Sequence, residues 1–168
     1  MFDFCLVGNG LASILLATTL SQKGYRLAWL TRHKENQSVD KSPCDFTSHL
    51  VLNHGSIRRL NPIIGSDFFD KEAHKLSSYC LATARRSLVT VKAQDLQLDF
   101  LGYQVPIRML AHNLLGHIDW HNIQVIEANS PSSVVFDKPL ITIKLSNTNA
   151  ILAQHILLAD GYQSPTRQ

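Results

Sequence analysis

Apolar residues open the chain as a near-continuous run, Phe2-Asp3-Phe4-Cys5-Leu6-Val7, which predicts a buried strand. From Leu11 the spacing becomes helical, with Leu11, Ile14, Leu15 and Thr18 at i, i+3, i+4 and i+7. This helix is expected to run to Lys23, with Gly24 as its C′ residue. A second apolar run, Tyr25 to Leu30, predicts another strand. Residues 33–45 are polar, contain Pro43 and predict an exposed loop, whereas 46–52 carry no decisive period. Ser56 is expected to cap a helix opening Ile57-Arg58-Arg59-Leu60, with Pro62 and Gly65 limiting it. Residues 66–75 predict a charged loop or short helix, and Tyr79 to Thr83 and Ser87 to Val91 predict short strands. Ile107, Leu110, Leu114, Leu115 and Ile118 mark a second amphipathic helix. Strands are expected over Ile123 to Glu127, Ser133 to Phe136, Leu140 to Leu145 and Ile151 to Leu158. Turn residues at 129–131, 137–139 and 146–149 separate them.

Strand, glycine turn, helix and strand, in that order at the start of the chain, is the pattern of a Rossmann βαβ unit. In Val7-Gly8-Asn9-Gly10, Gly8 allows the tight turn and Gly10 lets a diphosphate approach the backbone. The first helical residues, Leu11, Ala12 and Ser13, then offer free N–H groups and a partial positive charge to an anion. An ordinary βα turn without a ligand is the alternative. Thr31 and Arg32 follow the second strand and belong at the sheet's carboxyl edge, where ligands bind. Asp160-Gly161 follows the last strand in the same way. Its carboxylate could accept from ligand hydroxyls, or the pair could be a plain turn. The fold class read from these elements is α/β. One Rossmann-like domain spans 1–168, with a β-rich insertion over about 77–105 and a β-meander over about 133–158.

Composition narrows the classes. The chain has 168 residues, 45% hydrophobic and 17% charged, which suits a globular protein with a sizeable core. A formal charge of +3, with only Arg58-Arg59 and Arg85-Arg86 adjacent, gives no nucleic-acid stripe. Cys5, Cys44 and Cys80 are widely spaced and read as reduced thiols, Cys5 packing in the first strand. No basic region precedes the first apolar run and none of the runs matches a membrane span, so a cytoplasmic protein is expected. His117 with His121, and His49 with His54, lack the further ligands of a metal site. No G-x-S-x-G elbow is present, and Ser13, Ser56 and Ser164 have local capping or turn roles, which disfavours nucleophilic hydrolysis.

Four ordered segments together resemble a known family. They are Gly8 to Arg32, Gly55-Ser56-Ile57-Arg58-Arg59-Leu60 with Ile64-Gly65, Leu101-Gly102-Tyr103-Gln104-Val105 with Arg108, and Ala159-Asp160-Gly161 with Ser164 and Arg167. They resemble the N-terminal part of the FAD-dependent aromatic hydroxylases of ubiquinone biosynthesis, flavoprotein monooxygenases with the p-hydroxybenzoate hydroxylase fold. Val91 to Leu98 is similar to the 2-polyprenyl-6-methoxyphenol hydroxylase branch. The resemblance implies FAD as cofactor and NAD(P)H as reductant, with O₂ used to hydroxylate a phenol ring. It implies cofactor binding by Gly8, Gly10, Leu11, Ala12, Ser13, Thr31, Arg32, Arg108, Asp160 and Gly161. It assigns no catalytic residue.

The chain departs from the family pattern at several points. Ser13 replaces the third glycine, and Thr31 stands where the family has the acidic residue that binds the adenosine ribose. The basic residue expected after Asp45 is missing, and Pro106-Ile107 replaces a polar pair. Family members continue well past the position of Gln168, so an incomplete FAD-binding domain is expected, with exposed sheet surface prone to self-association. The expected partners are a polyprenyl-phenol substrate and either a membrane surface, contacted peripherally, or other ubiquinone-pathway proteins. Nucleic acid is not among them. Two further readings stay open: a non-catalytic module binding a nucleotide or a partner protein, and an NAD(P)-dependent dehydrogenase.

Overall fold

The structure, a computed structural model, describes residues 1–31, 48–82, 88–127, 131–137, 139–145 and 150–161. The chain divides into two compact units. One comprises Met1–Asp45 with Ala111–Gln168, the other Phe46–Leu110.

The first unit is built on a six-stranded sheet. Its strands are β1 (Phe2–Val7), β2 (Leu27–Thr31), β8 (Ile123–Glu127), β9 (Pro131–Asp137), β10 (Leu140–Leu145) and β11 (Ala150–Leu158), in the order β8-β2-β1-β11-β10-β9. The four from β8 to β11 run parallel, and β10 and β9 return antiparallel. β11 therefore serves two partners. Its start pairs with β10 and its end with β1, and Ala153 is in register with both Ile141 and Phe2. On one face of the sheet, Cys5, Val7, Ala28 and Leu30 pack with Ile143, Leu145, Ile151 and Ala153 in a single buried cluster. Alternation sends Leu6, Leu27 and Trp29 to the opposite face. The first helix, α1 (Leu11–Gln22), connects the parallel strands β1 and β2.

The buried face of α1 differs from the one expected. Ser13, Ile14, Ala17, Thr18 and Ser21 are buried, whereas Leu11 and Leu15 are only half-buried. The cause is small hydroxyl side chains that find partners inside. Thr18 Oγ1 lies 2.8 Å from the Ile14 carbonyl and 3.1 Å from that of Leu114. Ser21 Oγ accepts the Asp119 N–H at 3.1 Å. A satisfied hydroxyl costs little to bury and lets neighbouring backbones come close. The α1–β2 connection is closed by Asp3, whose Oδ2 accepts the Arg26 N–H at 2.8 Å. Strand β2 begins at Leu27 rather than Tyr25 and includes Thr31.

The second unit holds β3 (His49–Asn53), α2 (His54–Ile64), α3 (Asp67–Glu72), β4 (His74–Leu76), β5 (Ser78–Ala82), β6 (Leu88–Lys92) and β7 (Gly102–Pro106). It has an antiparallel β3-β7-β4 sheet and a β5–β6 hairpin. Helix α2 starts earlier than its sequence suggests. Asn53, not Ser56, is the cap, because Asn53 Oδ1 accepts the Ser56 N–H at 2.9 Å. Pro62 sits inside the helix, and Gly65, at φ +84°, follows its end. The Phe69 and Tyr103 rings pack 5.3 Å apart, and the Tyr103 hydroxyl donates to Asp70 Oδ1 at 3.0 Å. Burial, followed by that bond, raises the pKa of the phenol above its ordinary value. Helix α4 (Ile107–Gly116) begins in this unit and ends in the first.

Cys5 is fully buried in β1, as its apolar surroundings in the sequence predict, while Cys80 is exposed. Cys44 lies outside the described residues. Burial pushes the Cys5 thiol up to about 12 from an ordinary 9.0. The folded state thus keeps this proton more tightly than the unfolded one. The stability it contributes is complete below about pH 9 and is lost as pH rises toward about 12. Urea midpoints measured across this range should fall less steeply for Cys5→Ala than for the wild type. Parallel slopes would contradict the burial of Cys5.

Candidate functional site

The carboxyl ends of β1, β2, β8 and β11 lie along one edge of the sheet, and the turn after β1 sits in the middle of it. Gly8 has φ +128°, a backbone region that suits glycine and strains any other residue. A Cβ added there would collide with the Ala159 carbonyl oxygen and lie 2.7 Å from Ser13 Oγ. The chain leaving β11 is therefore pressed against the turn. Three hydrogen bonds hold this arrangement. The Gly8 N–H donates to the Leu30 carbonyl at 3.0 Å, and the Ala159 N–H to the Val7 carbonyl at 2.8 Å. Ser13 Oγ donates to the Ala159 carbonyl at 3.1 Å, joining residues 146 positions apart. Ser13, fully buried, thus adds a bond across a close helix–strand contact.

Trp29 was not among the residues singled out by the sequence. Its Nε1–H donates to the Gly8 carbonyl at 2.7 Å, and its ring stacks on Trp120 with centroids 6.4 Å apart. A tryptophan two residues before a strand's carboxyl end is the signal that could have revealed it.

Gly10 contrasts with Gly8. Among the described residues, a Cβ there would meet nothing within 4 Å beyond its chain neighbours, so that position is open. Gly10 is the N-cap of α1 with no side-chain cap bond, and the first turn has no acidic residue. The Ile14 N–H already donates to the Gly10 carbonyl at 3.1 Å. Leu11 is half-buried and Ala12 exposed at this helix end. An uncapped twelve-residue helix facing open space at a glycine fits the diphosphate of a dinucleotide.

The other expected residues lie in separate places. Thr31 is half-buried at the end of β2 and is in register with Glu127 of β8. Asp160 and Gly161 follow β11 on the other flank of β1. Asp160 is half-buried, and Gly161 is exposed at φ +89°. Arg108 is exposed in the first turn of α4, in the second unit. Arg32, Ser164 and Arg167 lie outside the described residues. Among the described residues, no three His, Cys, Asp or Glu side chains are grouped to hold a metal ion. No helix of the described residues is long and apolar enough to cross a membrane.

This geometry is that of the FAD-binding monooxygenase fold. No family model matches the chain, and no curated protein matches it. Solved structures do. The chain superimposes on p-nitrophenol 4-monooxygenase PnpA from Pseudomonas putida DLL-E4 with a TM-score of 0.74 and 16% identity, covering 99% of this chain and 42% of that one. Tetracycline destructase Tet(55) gives 0.67 at 14% identity, covering 100% of this chain and 40% of that one. A variant of HpxO from Klebsiella pneumoniae, solved in complex with FAD, gives 0.67 at 13% identity, covering 96% and 40%. The chain thus spans about two fifths of the length of these structures.

The two turn glycines should respond differently to a methyl group. Gly8→Ala should lower the unfolding free energy by at least about 2 kcal/mol, through strain and the collision with Ala159. Gly10→Ala should cost no more than about 1 kcal/mol, the loss of a tolerable N-cap residue. Chemical unfolding of the two variants side by side checks this, and equal losses would refute the geometry.

Proposed function

We propose that this chain is the FAD-binding portion of a flavoprotein monooxygenase that hydroxylates an aromatic ring with NAD(P)H and O₂. The observation that carries the reading is the glycine turn. Gly8 is locked against β11, while Gly10 leaves open space before the uncapped α1. The fold it shares with PnpA and with FAD-bound HpxO supports the choice of FAD over other dinucleotides. The four sequence segments support a place in ubiquinone biosynthesis, with a polyprenyl-phenol as substrate. Contact with a membrane surface, where such a substrate dissolves, and with other proteins of that pathway belongs to the same proposal, as does self-association.

Bound flavin would supply the redox chemistry, passing reducing equivalents from NAD(P)H to O₂. The chain's own residues bind and orient it. The backbone N–H groups of Gly10, Leu11 and Ala12 face the diphosphate, and the positive end of α1 favours its charge. The Thr31 hydroxyl is available to the adenosine ribose, and Asp160 with Gly161 to hydroxyls on the opposite flank of β1. Ser13 Oγ and the Trp29 ring N–H hold the turn in shape through their bonds to Ala159 and Gly8. The sequence resemblance adds Arg32 and Arg108 to the cofactor contacts.

Purified protein mixed with FAD should acquire the visible absorption of bound flavin. Gly10→Ala should weaken that binding by roughly tenfold, about 1.4 kcal/mol, because its methyl fills the approach path. Unchanged affinity would remove the diphosphate from the turn. Flavin binding without NAD(P)H oxidation would support a non-catalytic nucleotide-binding module instead.

A further inference from the structure

A sugar diol bound at a sheet edge needs an acceptor that can take two hydroxyl protons. A carboxylate does this best, since it only accepts and its bonds are charge-assisted. In dinucleotide folds the acid stands at the end of the second strand of the βαβ unit. Here β2 ends in Thr31, which brings a hydroxyl and no charge.

The neighbouring strand supplies what Thr31 lacks. β8 runs parallel to β2, with Trp29 opposite Val125 and Thr31 opposite Glu127. Register partners on parallel strands about 4.8 Å apart carry their side chains to the same face. That face belongs to the glycine turn. Trp29, two residues before Thr31 and on the same side of β2, reaches the Gly8 carbonyl with its ring N–H. Glu127 is exposed at the sheet's carboxyl edge, one strand spacing from Thr31. Asp160, by contrast, lies on the far flank of β1.

We infer that Glu127 holds the ribose hydroxyls of the adenine nucleotide, beside Thr31, so that the acid has moved one strand outward. The inference rests on the nucleotide reading of the glycine turn and adds a residue and a specificity to it. Its signature is discrimination for the sugar hydroxyls.

Calorimetric titration of the whole chain with ADP and with 2′,3′-dideoxy-ADP tests it. The wild type should bind ADP about tenfold more tightly than the dideoxy nucleotide. Glu127→Gln, an exposed and nearly isosteric change, should lose about tenfold in ADP affinity and leave the dideoxy affinity within about twofold. Circular dichroism confirms that the variant is folded. Undiminished discrimination in Glu127→Gln, or equal loss for both nucleotides, overturns the assignment while the nucleotide reading stands. A wild type that binds neither ADP nor FAD overturns that reading, and this inference with it.

Discussion

The arrangement of the first unit depends on a side chain that is not there. Because Gly8 has no Cβ, the chain leaving β11 can lie against the turn after β1, and Ser13 can bond to it from α1. One backbone position therefore joins two parallel strands and a helix. The polar groups brought together are paired: Gly8 donates to Leu30 and accepts from Trp29, and Ala159 donates to Val7 and accepts from Ser13. Each such bond adds only about 1 kcal/mol net. An unpaired buried carbonyl would cost about 1–3 kcal/mol, so the close packing requires the whole set.

Rigidity and openness are thus divided between two glycines two residues apart. Gly8 is packed against Ala159 and Ser13, whereas among the described residues nothing beyond its chain neighbours lies within 4 Å of where a Cβ on Gly10 would stand. Gly10, the N-cap of the helix, has no side chain to cap its first N–H groups. A backbone held in shape by bonds among its own supports is preorganised.

The beginning of the fold was legible in the sequence because its signals are local. Two glycines, a change of period and Gly24 mark β1, α1 and β2 to within a residue or two. Periodicity places Ile14 and Thr18 on the buried face of α1 correctly, but it passes over Ser13 and Ser21, which count as polar although their hydroxyls are satisfied inside. Ser56 has the residue type of a cap, but Asn53 has the geometry. Partners set by register were beyond a linear reading. Nothing near Thr31 in sequence points to Glu127, and nothing near Gly8 points to Ala159, since strand pairing alone brings them together. Asp160 could be marked as a strand-end residue, but not as a neighbour of the first strand.

The double role of β11 has a consequence for how the unit assembles. During synthesis, β1, α1 and β2 emerge first and can pair at once. The other edge of β1 then waits for a strand whose last residues, through Leu158, are made long afterwards. Until they arrive, Gly8 has no chain to pack against and β1 presents an unpaired row of N–H and C=O groups. Contacts this distant in sequence form late, after a large loss of chain entropy. A ribosome-bound chain therefore carries the opening glycine motif in full, yet cannot shape it into a cradle until almost all of the sequence described here has been translated.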